Sequence, residues 1–522
     1  MPDGRRRHPL RRTLLRLFGG SLVVLLLATI AGATAIFEDV GIVADAIGHG
    51  VLIKTKALAP TYAGKPVTIL ILGSDSRSES KDSFDRSDPP HSDTIILAHL
   101  DPQSGQTTLM SVPRDLDVSY KVGGNDYPNQ KINSAFTYGY ESGGTAAGAA
   151  TAVRVIEHLL HIKINDVIVI DFQAFAYLVN GLGCVFIDVD HLYANSDAYD
   201  GYAHIYIAPG YKPLCYYQAL SYVRYRHDDS TYARDAREQD FIRQAKQQLT
   251  IRTSLLTNPG ALKHLLTQVS SHGGLASNIR GSNQVLRLIE IAESSVDKPV
   301  RQVQFPDVGS MAGADGAVNQ TVPPPSELSA VVHSFLYGNP YNAPELPKSS
   351  PASSGHGRHH HHHHAARSLG VPAGLTQTPS YALSDALAMQ VKVPFPVEIP
   401  HLASIDGYFP GEDDFHAFRE KVPDTATFAK LVYHGYRITW EYGATAGAYY
   451  GIDGISWTDP PLFANALTRT VDGRSYEFVS NGKHWQDIGW IQGKAMYWVS
   501  NTLFDDLTNA QMLAIAESAQ RV

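Results

Sequence analysis

Residues 67–115 carry their apolar side chains in unbroken runs rather than in alternation with polar ones. The runs are VTILILGSD, DTIILAHLD and TTLMSVPRD, each of them short and ending in polar residues. A short continuous aliphatic run is typical of a strand that is buried on both faces. The intervening PQSGQ has the turn residues of a hairpin. We therefore predict three strands of a buried sheet, the last two joined as a hairpin.

Strand and helix patterns alternate from there to about residue 338. Strand patterns occur in DVIVID, CVFIDVD and VRQVQFP. Helical patterns occur in TAVRVIEHLLHI, FQAFAYLVNGLG, KPLCYYQALSYVRYR, ARDAREQDFIRQAKQQLTIRTSLL and residues 261–269 and 283–294. Strands that alternate with helices favour helical layers packed on a mixed sheet. We therefore predict an α/β domain over residues 65–338.

The N-terminus has the pattern of a membrane anchor. Six arginines precede an uncharged run at residues 17–37, and Glu38 and Asp39 follow it. A helix of that length spans a hydrocarbon core of about 30 Å, and the basic flank keeps the N-terminus in the cytoplasm. We predict a cytoplasmic tail at residues 1–16, a single transmembrane helix in the cell membrane, and a juxtamembrane helix with a turn-rich continuation at 38–64. A signal peptide cleaved at the small residues AGATA is the alternative, and in both cases the bulk of the chain is extracytoplasmic.

The composition changes at about residue 339. Residues 339–378 are rich in Pro, Ser and Gly without apolar periodicity, which is typical of a linker. A metal scavenger, a natural low-complexity tract and an engineered tag would each explain its six consecutive histidines, His359 to His364. Residues 379–522 hold all five tryptophans in strand-like patterns and end in a helical stretch capped by Thr508. We predict a smaller α+β C-terminal domain whose aromatic residues pack in its core, with a sugar-binding platform as the alternative.

Charge and cysteine content exclude some classes of protein. The chain has 522 residues and a net charge of −8, so it lacks the basic footprint of a general nucleic-acid binder. Its two cysteines, Cys184 and Cys215, are too few for an all-cysteine zinc site. Since both lie on the exported side, where disulfides form, we expect them to pair, with two buried thiols as the alternative.

Polar side chains occur where the predicted strands and helices end, and open α/β sheets gather their ligands there. Asp75 follows the first strand, Asp93 begins the second, and Arg114 follows the third. The stretch YVRYRHDDSTYARDAREQDFIR adds a dense group of arginines, Arg224, Arg226, Arg234 and Arg237. The two carboxylates suit Mg²⁺, and the arginines suit the phosphates of a pyrophosphate. Local turns, surface ion pairs and pairing with acidic residues of the same stretch are the alternatives.

The spacing of Arg224 and Arg226 leaves their local structure open. Two residues apart on a helix, side chains point about 200° apart. On an extended segment they point to the same side. An extended Tyr222–Arg226 would therefore aim both guanidinium groups at adjacent phosphates, which arginine binds through two parallel hydrogen bonds.

The order of these motifs resembles the LytR-CpsA-Psr family of bacterial envelope proteins. The resemblance covers residues 66–306 and rests on ILILGSDSR, SDTIILAHLDPQSGQTTLMSVPRDLDV, KINSAFTYG, VIVIDFQAFAYLVNGLGCVFIDV and ALSYVRYRHDDSTYARDAREQDFI. It implies an α-β-α layered core with a mixed central sheet that encloses a hydrophobic lipid pocket. It also implies a Mg²⁺-dependent phosphotransferase that moves a glycopolymer from a polyprenyl-pyrophosphate carrier onto peptidoglycan outside the cell. The two cysteines, the linker and the additional C-terminal domain suggest the actinobacterial type of this family.

The resemblance assigns roles to individual residues. Asp75 and Arg77 match the family's G-x-D-x-R motif and Asp93 matches the acidic residue of its S-D-T motif, and the two carboxylates are assigned to the metal. Arg114 matches the arginine of the P-R-D motif, and it is implied to be catalytic together with Arg224, Arg226 and Arg234. The residues implied to bind the pyrophosphate are Arg77, Arg114, Arg224, Arg226, Arg234, Arg237 and Gln239.

Two positions depart from the family's pattern. Thr231 stands where the family has an acidic residue, for which Asp229 would substitute by a shift of register. Glu238 interrupts the family's R-Q-Q motif and adds a negative charge near the phosphates. Both departures favour an alternative function, that of a non-catalytic paralogue which binds lipid-linked glycan or scaffolds wall assembly.

Overall fold

The computed structural model describes a large part of the chain in six stretches and several short pieces. The stretches and pieces are residues 50–76 except 63, 89–195, 205–226, 230–249, 267, 269, 274–279, 284, 295, 298, 300–306, 309–312, 318–338, 345–348, and 371–522 except 409, 410, 412, 413, 425, 427, 444 and 445. The predicted anchor at residues 17–37 and the histidine tract lie outside these residues, as do nearly all residues of the two helices predicted between 261 and 294. Among the residues described, no helix is long and apolar enough to cross a membrane.

Short strands and a few longer helices make up the described chain. The strands are β1 Val51–Leu52, β2 Val67–Ser74, β3 Ser92–Asp101, β4 Gln106–Ser111, β5 Asp117–Val122, β6 Asn125–Lys131, β7 Asp166–Asp171, β8 Val185–Val189, β9 Tyr193–Asn195, β10 Ile205–Ile207, β11 Gly210–Leu214, β12 Leu275–Ser277, β13 Val300–Val303, β14 Ser310–Ala312, β15 Val318–Gln320, β16 Leu375–Gln377, β17 Glu398–Pro400, β18 Leu402–Ser404, β19 Gly407–Tyr408, β20 Phe415–Lys421, β21 Val432–Tyr442, β22 Tyr449–Ile455, β23 Leu467–Val471, β24 Arg474–Asn481, β25 His484–Gln492, β26 Ala495–Ser500 and β27 Ala519–Arg521. The helices are α1 Ser134–Leu160, α2 Phe172–Gly181, α3 Tyr216–Arg224, α4 Thr231–Leu249, α5 Pro325–Tyr337, α6 Ser380–Met389 and α7 Asn509–Glu517.

Internal contacts divide the chain into two units. The first unit comprises Met1–Val185, Cys215–Leu220 and Glu238–Asn339. The second unit comprises Phe186–Leu214, Ser221–Arg237 and Pro340–Val522.

A seven-stranded mixed sheet forms the centre of the first unit, in the order β1-β12-β7-β2-β3-β4-β13. β2, β3 and β4 are antiparallel neighbours, whereas β7 is parallel to β2 and β13 is parallel to β4. Every side chain of β4 is buried, and every residue of β2 is buried except Gly73. The prediction that these unbroken apolar runs are strands buried on both faces is therefore confirmed, as are the β3–β4 hairpin and the mixed sheet.

Helices α1 and α5 pack on this sheet through an aliphatic core. Leu70, Leu97 and Ile156 belong to one buried cluster, and each such side chain contributes roughly 1.5–3 kcal/mol by its burial. α1 is kinked where Gly143 and Gly144 leave helical geometry, and Gly144 has a φ of 70° that favours glycine. The sequence predicted only the part of α1 after this kink, because glycines weaken a helical pattern.

An antiparallel sheet forms the centre of the second unit, in the order β19-β21-β22-β26-β25-β24-β23, with β20 also paired to β21. Trp440, Trp485 and Trp490 are buried in its core, so the prediction that the aromatic residues pack inside is confirmed. Helix α7 begins after Thr508, whose side chain forms a capping box with Gln511. The predicted cap is thus also confirmed.

The second unit includes residues 186–214, which the sequence assigned to the α/β domain. In this segment β8 pairs with β11 and β9 with β10. The Tyr433 hydroxyl donates to the carbonyl oxygen of Tyr211 over 2.7 Å. The disulfide between Cys184 and Cys215 closes the segment at its base and confirms the predicted pairing. The predicted domain bounds rest on composition, whereas the contacts place residues 186–214 in the same unit as residues 340–522.

Several local features differ from the sequence-based expectation. Leu375–Gln377, within the predicted linker at residues 339–378, form β16, and β11 Gly210–Leu214 covers the first residues of the helix predicted from KPLCYYQALSYVRYR. Val51 and Leu52, within the predicted juxtamembrane segment, form β1 parallel to β12. Ala519–Arg521, predicted as the end of the terminal helix, form β27 antiparallel to β17. The helical assignment of these last residues is wrong, because their main-chain groups form hydrogen bonds with those of β17.

Candidate functional site

The β3–β4 hairpin brings two predicted site residues together at one end of the first unit's sheet. Strand pairing continues beyond β4, because the amide of Val112 donates to the carbonyl oxygen of Ile95. Two residues further along, Arg114 lies opposite Asp93, and their side chains form an ion pair with Nη1 and Oδ1 2.5 Å apart. The hairpin that the sequence predicted therefore explains why these two residues meet.

Arg114 is held in place by neighbouring polar groups. Its Nε lies 3.5 Å from Oδ2 of Asp115, and Asp115 in turn pairs with Nζ of Lys131 at 2.9 Å. The Nδ2 of Asn133 donates to Oδ1 of Asp93 over 3.4 Å, and the Asn133 amide donates to the Arg114 carbonyl oxygen. The Arg114 side chain is 23% exposed, so a phosphate in solution can reach a guanidinium whose orientation is already set.

Asp75 lies directly after β2 and is tied to the residue before β3. Its amide donates to the carbonyl oxygen of His91, whose own amide donates to Oδ1 of Asp75 over 2.6 Å. Asp75 and Asp93 each keep 25% of their side-chain surface exposed. The described part of the chain holds no group of three or more His, Cys, Asp or Glu side chains suited to a metal.

These two carboxylates fit Mg²⁺ by their chemistry. Mg²⁺ is usually bound through one or two carboxylates, and waters and substrate phosphates complete its octahedron. Asp75 and Asp93 supply hard oxygen ligands that solvent and phosphate can reach. A dedicated cage of many protein ligands is not required for such an ion.

The second half of α4 contributes buried side chains to the first unit. The hydroxyl of Thr94, the neighbour of Asp93, donates to Oε1 of Glu238 over 2.7 Å. The Nε2 of Gln239 donates to the hydroxyl of Ser111 over 3.1 Å. Oε1 of Gln239 is buried and makes no hydrogen bond with any residue that the structure describes. Glu238, one of the two departures from the family's pattern, is thus a buried acceptor beside the strand that carries Asp93.

The first half of α4 places Arg234 and Arg237 in the second unit. Arg234 is buried and its Nη2 pairs with Oδ1 of Asp235 at 2.9 Å, so pairing within the acidic stretch holds for this arginine. Arg237 is fully buried, and its Nη2 donates to the carbonyl oxygen of Tyr225. Its guanidinium carbon lies 4.7 Å from the ring centroid of Tyr193, which is cation–π geometry.

The remaining arginines of the cluster lie at the end of α3 and beyond it. Arg224 is the last residue of α3 and is exposed, whereas Arg226 follows the helix and is half-buried. An extended segment over Tyr222–Arg226 is therefore wrong, because α3 continues through Arg224. Arg77 and Asp229 lie outside the residues described.

All these residues lie in the part of the chain that matches a known protein family. The sequence profile of the LytR-CpsA-Psr family (LytR_cpsA_psr) matches residues 48–326, more than half of the chain. The chain belongs to the LytR-CpsA-Psr family. Every predicted site residue falls within the match, and residues 371–522 fall outside it.

Relatives of this LytR-CpsA-Psr protein include named transferases. The polyisoprenyl-teichoic acid–peptidoglycan teichoic acid transferase TagU of Enterococcus faecalis is 28% identical over 255 residues, which cover 48% of this chain and 75% of TagU. The corresponding transferase TagV of Bacillus subtilis is 26% identical over 200 residues, covering 38% of this chain and 47% of TagV. Among solved structures, TagT bound to LIIa-WTA aligns with a TM-score of 0.39 and 21% identity over 55% of this chain and 94% of TagT.

Sequence reasoning missed the side chains that orient Arg114 and Arg237 in this LytR-CpsA-Psr domain. Lys131 and Asn133 belong to the KIN motif, which was part of the resemblance but received no role. The tyrosines around Arg237 carry no pattern that points to an arginine, because Tyr193 is separated from α4 by a helix and two strands. A motif would have found the first two residues, whereas the tyrosines required the structure.

Proposed function

We propose that this protein is a membrane-anchored, extracytoplasmic phosphotransferase that attaches a glycopolymer from a polyprenyl-pyrophosphate carrier to peptidoglycan. The observation that carries the proposal is the ion pair of Arg114 with Asp93 at the end of the sheet, in a family whose members include named teichoic acid transferases. A guanidinium that carboxylates orient and solvent can reach is suited to a phosphate. The anchor rests on the apolar run at residues 17–37.

The reaction requires positioning and charge rather than covalent chemistry from the protein. A hydroxyl oxygen of the acceptor glycan attacks the phosphorus that bears the glycopolymer, and the hydroxyl proton passes to solvent. The bond from that phosphorus to the bridging oxygen breaks, and polyprenyl phosphate leaves. Because negative charge grows on the bridging and equatorial oxygens, cations fixed beside them lower the barrier.

Arg114 is a cation of the first unit that suits this purpose. The resemblance assigns the same pyrophosphate to the remaining arginines, Arg77, Arg224, Arg226, Arg234 and Arg237. When bound through Asp75 and Asp93, Mg²⁺ would supply further positive charge to phosphate oxygens.

A cavity in the first unit offers apolar surface to the prenyl chain. It has a volume of about 550 Å³, and Val118 of β5 and Val155 and Leu159 of α1 contribute apolar side chains to a lining that also holds polar and charged residues, among them Lys121 and Arg154. β5 begins at Asp117, three residues after Arg114 along the chain. Each Å² of apolar surface that the prenyl chain removes from water favours its binding by about 25 cal/mol.

A non-catalytic paralogue that binds lipid-linked glycan is the second candidate. Glu238 favours it, because a buried carboxylate beside Thr94 adds negative charge to the region in which a phosphate would bind. Such a protein would bind the donor without releasing polyprenyl phosphate.

The test is an assay of the full chain in detergent with Mg²⁺, a glycan donor linked to polyprenyl or geranylgeranyl pyrophosphate, and peptidoglycan fragments. We expect a phosphodiester product and release of prenyl phosphate, both abolished by chelation of Mg²⁺. Arg114→Ala should lower turnover about 100-fold, the effect of removing one fixed charge-stabilising donor. Arg419→Ala, at an exposed arginine of β20, is the matched control and should keep the wild-type rate.

The outcomes separate the two candidates. Tight donor binding by the wild type without turnover would establish the binding paralogue and refute the transferase. Turnover that persists in Arg114→Ala would refute the site, and absence of donor binding would refute both functions.

A further inference from the structure

The segment that leads from β1 to β2 lies along one end of the first unit's sheet. The amide of Ile53 donates to the carbonyl oxygen of Ser277 over 3.0 Å. Asn165 joins two parts of the segment, because its Nδ2 donates to the carbonyl oxygen of Pro60 over 3.2 Å and its Oδ1 accepts from the amide of Thr68 over 2.9 Å. The segment is therefore fixed to the sheet, and the side chains that it exposes have a defined place.

β1 exposes apolar side chains on both of its faces. Val51 and Leu52 are 41% and 37% exposed, although successive residues of a strand point to opposite faces. Tyr62, further along the segment, is 63% exposed. This edge of the sheet therefore offers apolar and aromatic surface to a partner.

Three lysines accompany these apolar side chains. Lys54, Lys56 and Lys65 are exposed, and none of them pairs with a carboxylate in the part of the chain that the structure describes. Lys65 lies close to Tyr62, since its amide donates to the carbonyl oxygen of Tyr62 over 3.3 Å. Positive charge and apolar surface thus occur together on one short segment.

Three carboxylates described at this end of the sheet, Asp101, Glu157 and Asp166, already have partners. These partners are the hydroxyl of Ser104 at 2.7 Å, Nζ of Lys163 at 3.6 Å and Nδ2 of Asn278 at 2.8 Å, respectively. The charges of the three lysines are therefore available to attract an anionic surface.

A cavity of about 690 Å³ adjoins the lysines. Leu52, Lys54, Lys56 and Asn165 are among the residues that line it, and Asp166 also contributes to the lining. Lysine ammonium groups and an asparagine amide can both donate to phosphate oxygens, and Leu52 adds apolar surface. The lining therefore suits a phosphate that carries apolar chains.

The segment is close in sequence to the predicted membrane anchor. Residues 38–49 separate Phe37, the last residue of the apolar run, from Gly50. An extended chain covers at most about 3.5 Å per residue, so β1 begins within roughly 45 Å of the end of that run. Asp75 follows the far end of β2, which is roughly 25 Å long, so the candidate phosphotransfer site is separate from this surface.

We propose that one surface of the first unit rests on the outer face of the membrane and binds the headgroups of anionic phospholipids. This basic surface consists of Val51, Leu52, Lys54, Lys56, Tyr62 and Lys65. The inference rests on the proposed function, because the anchor at residues 17–37 belongs to that function. Tyrosine is enriched at membrane interfaces, and lysine places its ammonium group among headgroups while its methylene stem covers apolar surface. Each lysine near an anionic membrane strengthens the contact roughly fivefold.

The experiment measures the rate of amine acetylation of the full chain in lipid nanodiscs, followed at each lysine by mass spectrometry. One set of nanodiscs contains phosphatidylcholine alone, and the other also contains anionic phosphatidylglycerol. Labelling of Lys54, Lys56 and Lys65 should be roughly fivefold slower with phosphatidylglycerol. Labelling of Lys121, a lysine of β5 that is 74% exposed, should not change. Sodium chloride at about 1 M shortens the Debye length to about 3 Å and should abolish the difference.

A triple variant tests whether the lysines cause this contact. Glutamine at all three lysines of the basic surface removes their charge and keeps long polar side chains. Hydrogen exchange of residues 51–66 should be several-fold slower in phosphatidylglycerol than in phosphatidylcholine nanodiscs for the wild type, and equal in both for the variant. A matched control removes the same charge from three exposed lysines of the second unit and should keep the wild-type difference. Its substitutions are Lys421→Gln, Lys483→Gln and Lys494→Gln.

Three results would overturn the inference. The first is equal labelling of the three lysines in both kinds of nanodisc. The second is an equal decrease at Lys121, because the attraction would then not belong to the basic surface. The third is equal protection by soluble glycerol phosphate in phosphatidylcholine nanodiscs, because a free phosphate would then explain the site.

Retention of the chain in nanodiscs separates this inference from the proposed function. A chain that does not copurify with nanodiscs refutes the membrane anchor of the proposed function and the inference together. A chain that is retained and transfers glycopolymer, but whose three lysines are labelled equally in both lipids, refutes the inference alone. A retained chain with selective protection supports the inference even if it transfers nothing.

Discussion

Replacement of both cysteines by serine should destabilise the second unit by several kcal/mol. The disulfide joins Cys184 to Cys215, and nearly all the residues that it encloses belong to the second unit. The enclosed segment keeps its contacts in the folded variant, among them the hydrogen bond from Tyr433 to Tyr211. The effect therefore arises from the unfolded chain, which gains freedom when the loop is opened.

The size of the effect follows from the length of the loop. The two cysteines are separated by 31 residues. The loop-closure entropy for that length corresponds to about 4 kcal/mol at 25 °C. In a unit of this size the same change lowers the Tm by about 10 °C.

Urea denaturation, monitored by tryptophan fluorescence, measures the change in the free energy of unfolding of the second unit. All five tryptophans lie between residues 440 and 498, so their emission reports on the second unit. A reducing agent should shift the wild-type transition to that of the serine variant and leave the variant unaffected. A loss below about 1 kcal/mol, no larger than an average point substitution gives, would refute the reasoning and show that the segment is already restricted in the unfolded chain.

Three further substitutions test separate parts of the structure. Burial lowers the pKa of His99 from 6.5 to about 4, so its folded form stays neutral and stability is lost as the pH falls below 6.5. The free energy of unfolding should drop by about 2 kcal/mol between pH 7.5 and pH 5, and His99→Gln should abolish that dependence in urea titrations. Arg437→Met leaves the buried carboxylates of Asp188 and Asp453 without their cation, so the free energy of unfolding should fall by about 3–5 kcal/mol. Urea denaturation monitored by tryptophan fluorescence measures this loss, and an unchanged midpoint would contradict the ion-pair network. Glu238→Gln keeps an acceptor oxygen but removes a negative charge, so the donor KM should fall about threefold, and an unchanged KM would show that this charge does not act on the phosphates.

The sheet of the first unit was predictable because its strands are buried on both faces. Burial on both faces favours an apolar side chain at almost every position, which the run Val67–Leu72 of β2 shows directly. β4 is less regular, because it buries Gln106, Thr107, Thr108 and Ser111 beside two apolar side chains. The meeting of Asp93 and Arg114 followed from the same pattern, because a tight hairpin fixes the register of its strands. Local chain geometry therefore determined this part of the candidate site.

The contacts of residues 186–214 with the C-terminal sheet were not predictable in the same way. Arg437 is separated from Asp188 by 249 residues, and only Asp188 stands in one of the motifs that carry the family resemblance. On a strand, a charged residue among apolar ones is normally interpreted as a solvent-facing position. Only the fold shows that Arg437 points inward to carboxylates from a distant segment, since long-range charge pairing leaves no periodic trace in the sequence.

The two departures from the family's pattern have different consequences once their surroundings are known. Thr231 is the first residue of α4, and the Ser230 hydroxyl accepts a hydrogen bond from the amide of Ala233, so the start of the helix is capped without an acidic side chain. Glu238 accepts a hydrogen bond from Thr94 through an oxygen that glutamine would also offer. Neither departure therefore removes a contact that the backbone needs. What Glu238 changes is charge, so the effect of Glu238→Gln on donor binding and turnover bears directly on the choice between the two proposed functions.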